Sequence, residues 1–224
     1  KGAMHSHAGL VHATRGTAGM FEQGEDDQRM AFLPLCHIVE RVGGEYVGVY
    51  TGSVLNFVEN PDTVPENVRE IAPTLFTAVP RVWEKFYSAI SIRIKEATRL
   101  EKWAYKLALG LGYRVADLRL AGRSVPSGLA MANRIASFFA LGNVRRAIGV
   151  HRTRLALTGA APISPELIRW YCALGVDMYE GWGMTETSGG GSLNLPSARR
   201  LGSIGKVAPF NEMRISPEGE ILVR

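Results

Sequence analysis

The chain has 224 residues, of which 46% are hydrophobic and 21% are charged. This length suits one large domain or part of one, and the composition is typical of a globular α/β protein and unlike a disordered chain. No stretch approaches the roughly 18 uninterrupted apolar residues that a membrane-spanning helix needs. Cys36 and Cys172 stand apart from any CxxC pair or His/Cys cluster, so we expect neither a disulfide framework nor a zinc site, and a reducing, cytoplasmic compartment.

The net charge of +5 is unevenly distributed along the chain. Residues 81–152 carry 14 basic and 4 acidic side chains, whereas residues 1–80 carry 5 basic and 10 acidic ones. Such a cationic region attracts nucleic acid, an anionic membrane surface or an anionic small molecule, but it is also typical of a solvated helical face. Its basic residues are interleaved with apolar ones and no nucleic-acid motif occurs, so we expect no nucleic-acid partner. Peripheral contact with anionic lipid headgroups remains as an alternative.

Apolar runs of strand length alternate with helical patterns along the chain. This alternation is typical of an α/β fold in which a mainly parallel sheet is flanked by helices. A helix-like stretch follows the first run over residues 37–50, and Pro65 is well placed to begin a short helix. The predicted strands are residues 30–35, 53–58, 74–79, 154–159 and 176–181.

The hydrophobic period changes after the third of these strands. Val82, Phe86 and Ile90 recur at four-residue steps, which places an apolar stripe along one face of a helix. Similar patterns continue through the following segments. We therefore expect a long helical block near residues 80–149.

Two later elements are marked by the residues at their ends. Ser164 is a natural N-cap and Pro165 fits the first helical position, which together predict that a helix begins there. In the C-terminal tail, apolar residues flank a Pro-Glu-Gly turn at 217–219. This pattern predicts a β-hairpin over residues 211–224.

Two glycine-bearing loops each follow a predicted strand. The loop GAAP covers residues 159–162 and the loop EGWGMTET covers residues 180–187, with 17 residues between them. This spacing fits one strand–helix–strand unit. Both loops would then lie at the carboxyl edge of a parallel sheet, where ligands of open α/β sheets usually bind.

The second loop contains the groups that a nucleotide site needs. Its glycines allow close approach of the backbone, and Trp182 offers a flat face for stacking. Thr185 can donate a hydrogen bond to a phosphate, and Glu186 can hold a magnesium ion through a carboxylate oxygen. Each residue also has a plainer interpretation, because glycine loops are often only turns, a lone Trp is often core, and Thr-Glu often begins a helix. The trailing residues 188–191 (SGGG) are predicted to be flexible.

Five segments, in order along the chain, resemble one protein family. YEGWGMTET (179–187) resembles the aromatic–Gly–x–Thr–Glu signature of adenylate-forming (AMP-binding) enzymes, and LTGAAPISPEL (157–167) is similar to an upstream loop of that family. KGAMHSHAGLV (1–11) resembles the end of the family's phosphate-binding loop and the helix after it. FLPLCHIVERV (32–42) and the segment 59–87 resemble the long-chain fatty acyl-CoA synthetase branch.

The resemblance implies ATP-dependent activation of a long-chain fatty acid. The carboxylate would attack the α-phosphate of ATP to give an acyl-adenylate and pyrophosphate, and the thiol of coenzyme A would then displace AMP. Fatty acid, ATP, Mg²⁺ and coenzyme A are therefore the implied ligands. The alternatives are a ligase for a shorter or aromatic carboxylic acid and a non-catalytic relative that binds a nucleotide or an acyl group.

The resemblance also implies residue roles. Trp182 would stack on adenine, where the family more often has tyrosine. Thr185 would bind the α-phosphate, Glu186 would ligate magnesium, and His37 would lie where the acyl pocket meets the phosphates, so these three are the implied catalytic residues. Trp83 would lie by the acyl tunnel, with ordinary helix packing as an equal alternative. The implied nucleotide-binding residues are Lys1, Gly159, Ala160, Ala161, Glu180, Gly181, Trp182, Gly183, Met184 and Thr185, with Gly159 also on the acyl side.

The family pattern is incomplete at both ends of the sequence. The body of the phosphate loop is expected before Lys1, and the ribose-binding aspartate and the lysine of a small C-terminal domain are expected beyond Arg224. We therefore expect residues 1–224 to be an internal fragment of one AMP-binding domain. Such a fragment would have little or no ligase activity by itself.

Overall fold

A mainly parallel β-sheet forms the centre of the protein, as the alternating pattern predicts. The computed structural model describes residues 2–224. Its strands are β1 (Gln28–Ala31), β2 (Val54–Phe57), β3 (Leu75–Ala78), β4 (Leu155–Thr158), β5 (Met178–Trp182), β6 (Ser192–Leu193), β7 (Lys206–Val207), β8 (Met213–Ile215) and β9 (Ile221–Val223).

The strands pair in two sheets within the described residues. The larger sheet has the order β2–β1–β3–β4–β5–β6–β7. Strands β1 to β5 run parallel, whereas β6 is antiparallel to β5 and β7 is antiparallel to β6. Strands β8 and β9 form the antiparallel hairpin predicted for the tail.

Helices cover both faces of the larger sheet. No helix of the described part is both long and apolar enough to cross a bilayer. The predicted helical block near residues 80–149 is confirmed, since four α-helices and one π-helix occupy it. The helices are α1 (His7–Met20), a π-helix (Val39–Tyr46), α2 (Val47–Thr51), α3 (Val64–Ile71), α4 (Pro80–Glu96), α5 (Arg99–Leu120), α6 (Ser127–Ala136), a second π-helix (Ser137–Leu141), α7 (Gly142–Ala147) and α8 (Pro165–Leu174).

The first strand lies earlier than the apolar run MAFLPL predicts. It begins at Gln28 and ends at Ala31, so residues 32–35 are outside the sheet. The backbone N–H groups of Phe32 and Leu33 donate to the carboxylate of Glu40, at 3.3 and 3.0 Å, instead of to a neighbouring strand. Pro34 then offers no N–H, and the chain turns toward the first π-helix.

The main hydrophobic core lies between the sheet and helices α3, α4, α5 and α8. Trp83 is fully buried in it, its ring packs edge-on against Phe76 at 5.0 Å, and its Nε1–H donates to the carbonyl of Ala78 at 3.1 Å. Tyr171 of α8 donates its hydroxyl to the Trp83 carbonyl at 2.7 Å. Trp83 therefore packs within the main core of the fold, as the helix-packing alternative predicts.

The start of α8 is predicted correctly in position but not in detail. Ser164 has the extended backbone of an N-cap and Pro165 is the first helical residue. The Ser164 hydroxyl makes no capping hydrogen bond, however, and the first turn relies on its carbonyl, which accepts from Leu167 at 3.0 Å. Gly175 ends the helix with a φ of 86°, which is a left-handed conformation that favours glycine.

An ionic network ties three strands together at the amino edge of the sheet. Asp27, just before β1, accepts from Arg154 at 2.6 and 3.0 Å and from the Thr74 hydroxyl at 2.7 Å. Burial by itself raises the pKa of Asp27, but the hydrogen bonds from Arg154, Thr74 and the backbone of Gly24 outweigh it, and the net pKa is lowered. The network therefore holds β1, β3 and β4 in register through an ionised carboxylate.

The opposite face of the sheet is covered by α1 and the first π-helix. Smaller apolar clusters form there, one around Leu75, Leu155 and Tyr179 and the other around Ile38 and Val42. A cavity remains between these clusters. Its position along the sheet defines the candidate site.

Candidate functional site

The two glycine-bearing loops meet at the carboxyl edge of the sheet, as their spacing predicts. Strands β4 and β5 are parallel neighbours joined by α8, so Gly159 and Gly181 lie side by side. A Cβ atom on Gly159 would lie 2.8 Å from the carbonyl oxygen of Gly181, which leaves no room for a side chain. Ala160, the next residue, has a φ of 66°, a left-handed conformation that costs about 1–2 kcal/mol for a residue with a Cβ.

The second loop folds back on itself immediately after β5. A Cβ atom on Gly183 would lie 2.2 Å from the carbonyl oxygen of Gly189, and the Gly189 N–H donates to the Met184 carbonyl at 3.0 Å. Residues Thr185–Thr187 form a single 3₁₀ turn between these contacts. The loop is therefore a closed, glycine-dependent cradle.

The prediction that residues 188–191 are flexible is wrong. A Cβ atom on Gly190 would lie 2.7 Å from the Phe210 ring, and one on Gly191 would lie 2.6 Å from the Trp182 ring. The Gly191 carbonyl also accepts from the Ala208 N–H at 2.9 Å. These glycines are present because the loop packs tightly against two aromatic rings.

The side chains of the second loop are placed as a ligand site requires. Trp182 is half-buried, Thr185 is exposed, and both line the cavity together with Gly181, Gly183 and Met184. Glu186 is exposed on the same 3₁₀ turn, and its carboxylate accepts no hydrogen bond from residues 2–224. The open carboxylate and the hydroxyl beside it are free to contact a ligand.

His37 reaches the same cavity from the other side. It is half-buried at the end of the turn that precedes the first π-helix. Its Nδ1 accepts from the backbone N–H of Val39 at 3.3 Å, so the neutral ring carries its proton on Nε2. Nε2 is thereby available as a donor toward an anionic group.

Four of the predicted residues in the described part of the chain, one of which is Glu186, are not among those lining this cavity. Glu180 is buried on the face of β5 that also carries Met178, and burial raises the pKa of its carboxyl against a hydrogen bond from the Ile163 backbone. Ala161 is exposed in the first loop, and Trp83 lies behind Ala78 in the core. Lys1 lies outside the described residues.

The segment that follows Lys1 nevertheless lies beside the second loop. The His5 ring forms a hydrogen bond with the Ser188 hydroxyl at 3.1 Å, and Ser6 caps α1 by accepting from the Gly9 N–H at 3.0 Å. Phe210 packs over Gly16 of α1 and its carbonyl contacts His12 at 2.7 Å. The N-terminal segment and the tail therefore meet at the loop.

The cavity has a volume of about 290 Å³ and runs from the loops along the face of the sheet. Its walls are mainly apolar, with Leu75, Leu155 and Leu157 on the sheet and Val42 on the first π-helix. Sequence reasoning missed these wall residues, although the alternation within β3 and β4 marks which residues share a face. It also missed the polar residues Gln23 and Arg29 at the far end.

The residues at the carboxyl edge fit a magnesium nucleotide. No group of three or more His, Cys, Asp or Glu side chains with metal-binding geometry occurs in the described part of the chain. A lone carboxylate such as Glu186 is sufficient when phosphate oxygens and water complete the coordination, as is usual for magnesium.

Two curated proteins are similar to this chain over most or all of its length. A Mycobacterium tuberculosis protein named fatty-acid–CoA ligase fadD11 is 31% identical to this chain over 225 residues. The match covers 100% of this chain and 39% of that protein. Long-chain-fatty-acid–CoA ligase ACSBG2 of Gallus gallus is 34% identical over 216 residues, covering 92% of this chain and 28% of that protein. This chain thus spans less than two thirds of the length of these curated relatives.

The fold is also found among solved structures. The N-terminal domain of FACL13 from Mycobacterium tuberculosis matches with a TM-score of 0.63 at 20% identity, covering 99% of this chain and 44% of that chain. The likeness confirms the predicted α/β class. The family model described as AMP-binding enzyme matches residues 1–224. The protein therefore belongs to the AMP-binding enzyme family.

Proposed function

We propose that a protein containing this chain activates a long-chain fatty acid with ATP, through an acyl-adenylate, and transfers the acyl group to coenzyme A. The observation that carries the proposal is one continuous cavity, which joins a polar glycine cradle to an apolar groove along the sheet. Such a cavity can hold a nucleotide phosphate and an acyl chain end to end. Residues 1–224 would supply part of one AMP-binding domain.

Each polar residue at the cradle has a distinct task in this proposal. The Trp182 ring stacks on adenine, the backbone of Gly159 and Ala160 lines the adenine and acyl side of the cavity, and the Thr185 hydroxyl binds the α-phosphate. The His37 Nε2–H donates toward the acyl carboxylate where it meets the α-phosphate. These donors orient two anions that otherwise repel each other, which is the main obstacle to the first step.

Glu186 would hold magnesium in this arrangement. The ion, when bound, neutralises charge that develops on the phosphate oxygens. The Glu186 side chain extends from a turn that the hydrogen bond from the Gly189 N–H to the Met184 carbonyl closes. ATP and coenzyme A are co-substrates in this proposal.

Pyrophosphate release by the full-length protein tests the proposed function. We expect release to require ATP, Mg²⁺ and a fatty acid, and hydroxylamine to trap the activated acyl group as a hydroxamate. Residues 1–224 alone are expected to give little or no turnover. Absence of acid-dependent release by the full-length protein across a panel of short, long and aromatic acids would favour the non-catalytic alternative.

A ligase for a shorter acid is the second candidate, because the cavity ends within the sheet. The wall runs from Ala78 and Thr158 at the carboxyl edge to Leu75 and Leu155, which is three residues, or about 10 Å of extended strand. The same acid panel separates the two candidates. A maximum of kcat/KM at a short chain length would support this second function.

We also propose cytoplasmic localisation with peripheral membrane contact through the basic region 81–152. Leu100, Trp103 and Leu107 lie on one exposed face of α5, with exposures of 72%, 63% and 53%. Lys106, three residues after Trp103 on the same helix, lies beside this face. An apolar face beside cationic side chains suits the headgroup region of an anionic bilayer.

Vesicle sedimentation of the full-length protein tests the membrane proposal. We expect binding to vesicles that contain phosphatidylserine, weaker binding at high salt, and about tenfold weaker binding for Trp103→Glu, since a charge would replace an exposed aromatic ring that inserts into the headgroup region. Ile215→Glu, at an exposed position of the C-terminal hairpin, is the matched control. Equal binding of neutral and anionic vesicles would contradict the proposal.

A further inference from the structure

The far end of the cavity is closed by an arginine. Arg29 lies on β1 in register with Leu75 of β3, which in turn pairs with Leu155 of β4. Its neighbour Met30 faces the main core, so alternation along the strand places Arg29 on the cavity face. The Cα atom of Arg29 is therefore level with Leu75, three strand residues or about 10 Å from the end of β3 at the carboxyl edge.

The Arg29 side chain bridges the two elements that cover the cavity. It is only 8% exposed, and it donates to the carbonyl of Gly43 in the first π-helix and to the side-chain oxygen of Gln23 after α1. A guanidinium has five N–H donors. Its Nε is buried and without a hydrogen-bond partner in the described residues.

Arg29 also lacks a directly paired carboxylate. None of the salt bridges within residues 2–224 includes it. Asp27 is already held by Arg154 and Thr74, and Glu40 accepts the backbone N–H groups of Phe32 and Leu33. Burial lowers the pKa of Arg29 to about 10, with opposing effects from Asp27 and Glu40, so the side chain is still cationic at neutral pH.

A buried cation without a paired anion is costly, especially where the rest of the wall is hydrocarbon. A methyl group placed against it would leave N–H donors unpaired. A carboxylate placed there would accept charge-assisted hydrogen bonds, which are among the strongest in proteins. The far end of the cavity thus presents a cationic guanidinium, whereas a pocket for an unsubstituted alkyl chain would end in apolar side chains.

We propose that Arg29, supported by Gln23, forms a polar end wall that recognises a second carboxylate at the far end of the acyl substrate. The preferred substrate class is therefore an α,ω-dicarboxylic acid, activated at one end and bound by Arg29 at the other. This inference rests on the proposed acyl activation, with the shorter acid as its substrate, because a wall about 10 Å long that ends at Arg29 does not hold a long alkyl chain. It makes Arg29 a specificity-determining residue and gives it no part in the chemical step.

The test compares pairs of acids with the same number of carbons in the full-length protein. One acid of each pair is a monocarboxylic acid and the other is the α,ω-dicarboxylic acid, and kcat/KM for pyrophosphate release is measured over a series of lengths. We expect the dicarboxylic acid to be preferred at the length that spans the cavity. Arg29→Met should lower kcat/KM for that acid by roughly 10–100-fold, the range expected for lost hydrogen bonds to a charged group, without a matching loss for its monocarboxylic partner.

Two control variants separate recognition from a merely structural bridge. Arg29→Lys keeps the charge and should retain part of the preference, whereas Arg114→Met removes an exposed charge on α5 and should leave it unchanged. Equal loss for both acids in Arg29→Met would show a bridging role only and overturn the inference, as would a wild-type protein without a preference at any length.

Calorimetric titration of the wild-type protein with both acids measures the same preference without turnover. Tighter binding of the dicarboxylic acid supports the inference and equal affinity overturns it, whether or not Arg29→Met folds. Turnover of monocarboxylic acids without that preference would contradict this inference alone. Absence of turnover with every acid would contradict the proposed function.

Discussion

Glu186→Gln is expected to lower acid-dependent pyrophosphate release by the full-length protein by a factor of about 10²–10³, a typical loss when one group that stabilises transition-state charge is removed. The amide keeps the shape of the side chain but replaces an anionic metal ligand with a neutral one. Because Glu186 is exposed and makes no hydrogen bond within the described residues, the fold should be unaffected. Release is measured at saturating ATP and across Mg²⁺ concentrations, alongside thermal unfolding.

Glu84→Gln is the matched control for this substitution. Glu84 is an exposed carboxylate on α4, outside the cavity. Its replacement should leave both the rate and the Mg²⁺ dependence as in the wild type. An unchanged rate in Glu186→Gln would show that Glu186 is not the metal ligand.

Gly183→Ala is expected to reduce kcat/KM by at least about 100-fold, comparable to the effect of misplacing catalytic groups by an ångström. The added methyl would lie 2.2 Å from the Gly189 carbonyl oxygen and 2.8 Å from its carbon, so backbone must move. Movement there breaks the Gly189–Met184 hydrogen bond and displaces Thr185 and Glu186 together. Steady-state kinetics of the full-length variant measures the loss.

Gly110→Ala provides the control for glycine replacement. Gly110 lies within α5, and a Cβ added there meets no atom within 4 Å. Alanine favours a helix over glycine by about 0.5–1 kcal/mol, so this variant should be slightly more stable and fully active. Near-wild-type kinetics in Gly183→Ala would show that the loop does not need glycine at position 183 to hold Thr185 and Glu186 in place.

The unit β4–α8–β5 could be predicted from sequence, because the residues that mark its strands, helix and loops lie close together in the chain. Gly159 follows β4 and Gly181 lies near the end of β5, and one helix joins these strands, a spacing that favours parallel neighbours with both glycines at the carboxyl edge. Their meeting at the sheet edge is confirmed. The catalytic roles of Thr185, Glu186 and His37 remain predictions, although Thr185 and His37 line one cavity.

Features that depend on distant contacts could not be predicted in this way. The apolar run at residues 30–35 predicts a longer strand. The backbone N–H groups of Phe32 and Leu33 donate to the Glu40 carboxylate instead, so they cannot pair with a neighbouring strand. Residues 188–191 have the composition of a linker. The rings of Phe210 and Trp182 nevertheless pack so close to Gly190 and Gly191 that no side chain fits at these positions. Arg29 gives no local signal, because only the pairing of β1 with β3 places it at the cavity end.

The insertion of the helical block between β3 and β4 has a consequence for folding. These strands are neighbours in the sheet, although segment 79–154 lies between them in the chain. Pairing them requires closure of a long loop, and such non-local contacts slow folding. The unit β4–α8–β5 needs no such closure. We infer that the β4–α8–β5 unit forms early and locally, whereas the apolar groove appears only when β3 joins β4 and completes its wall.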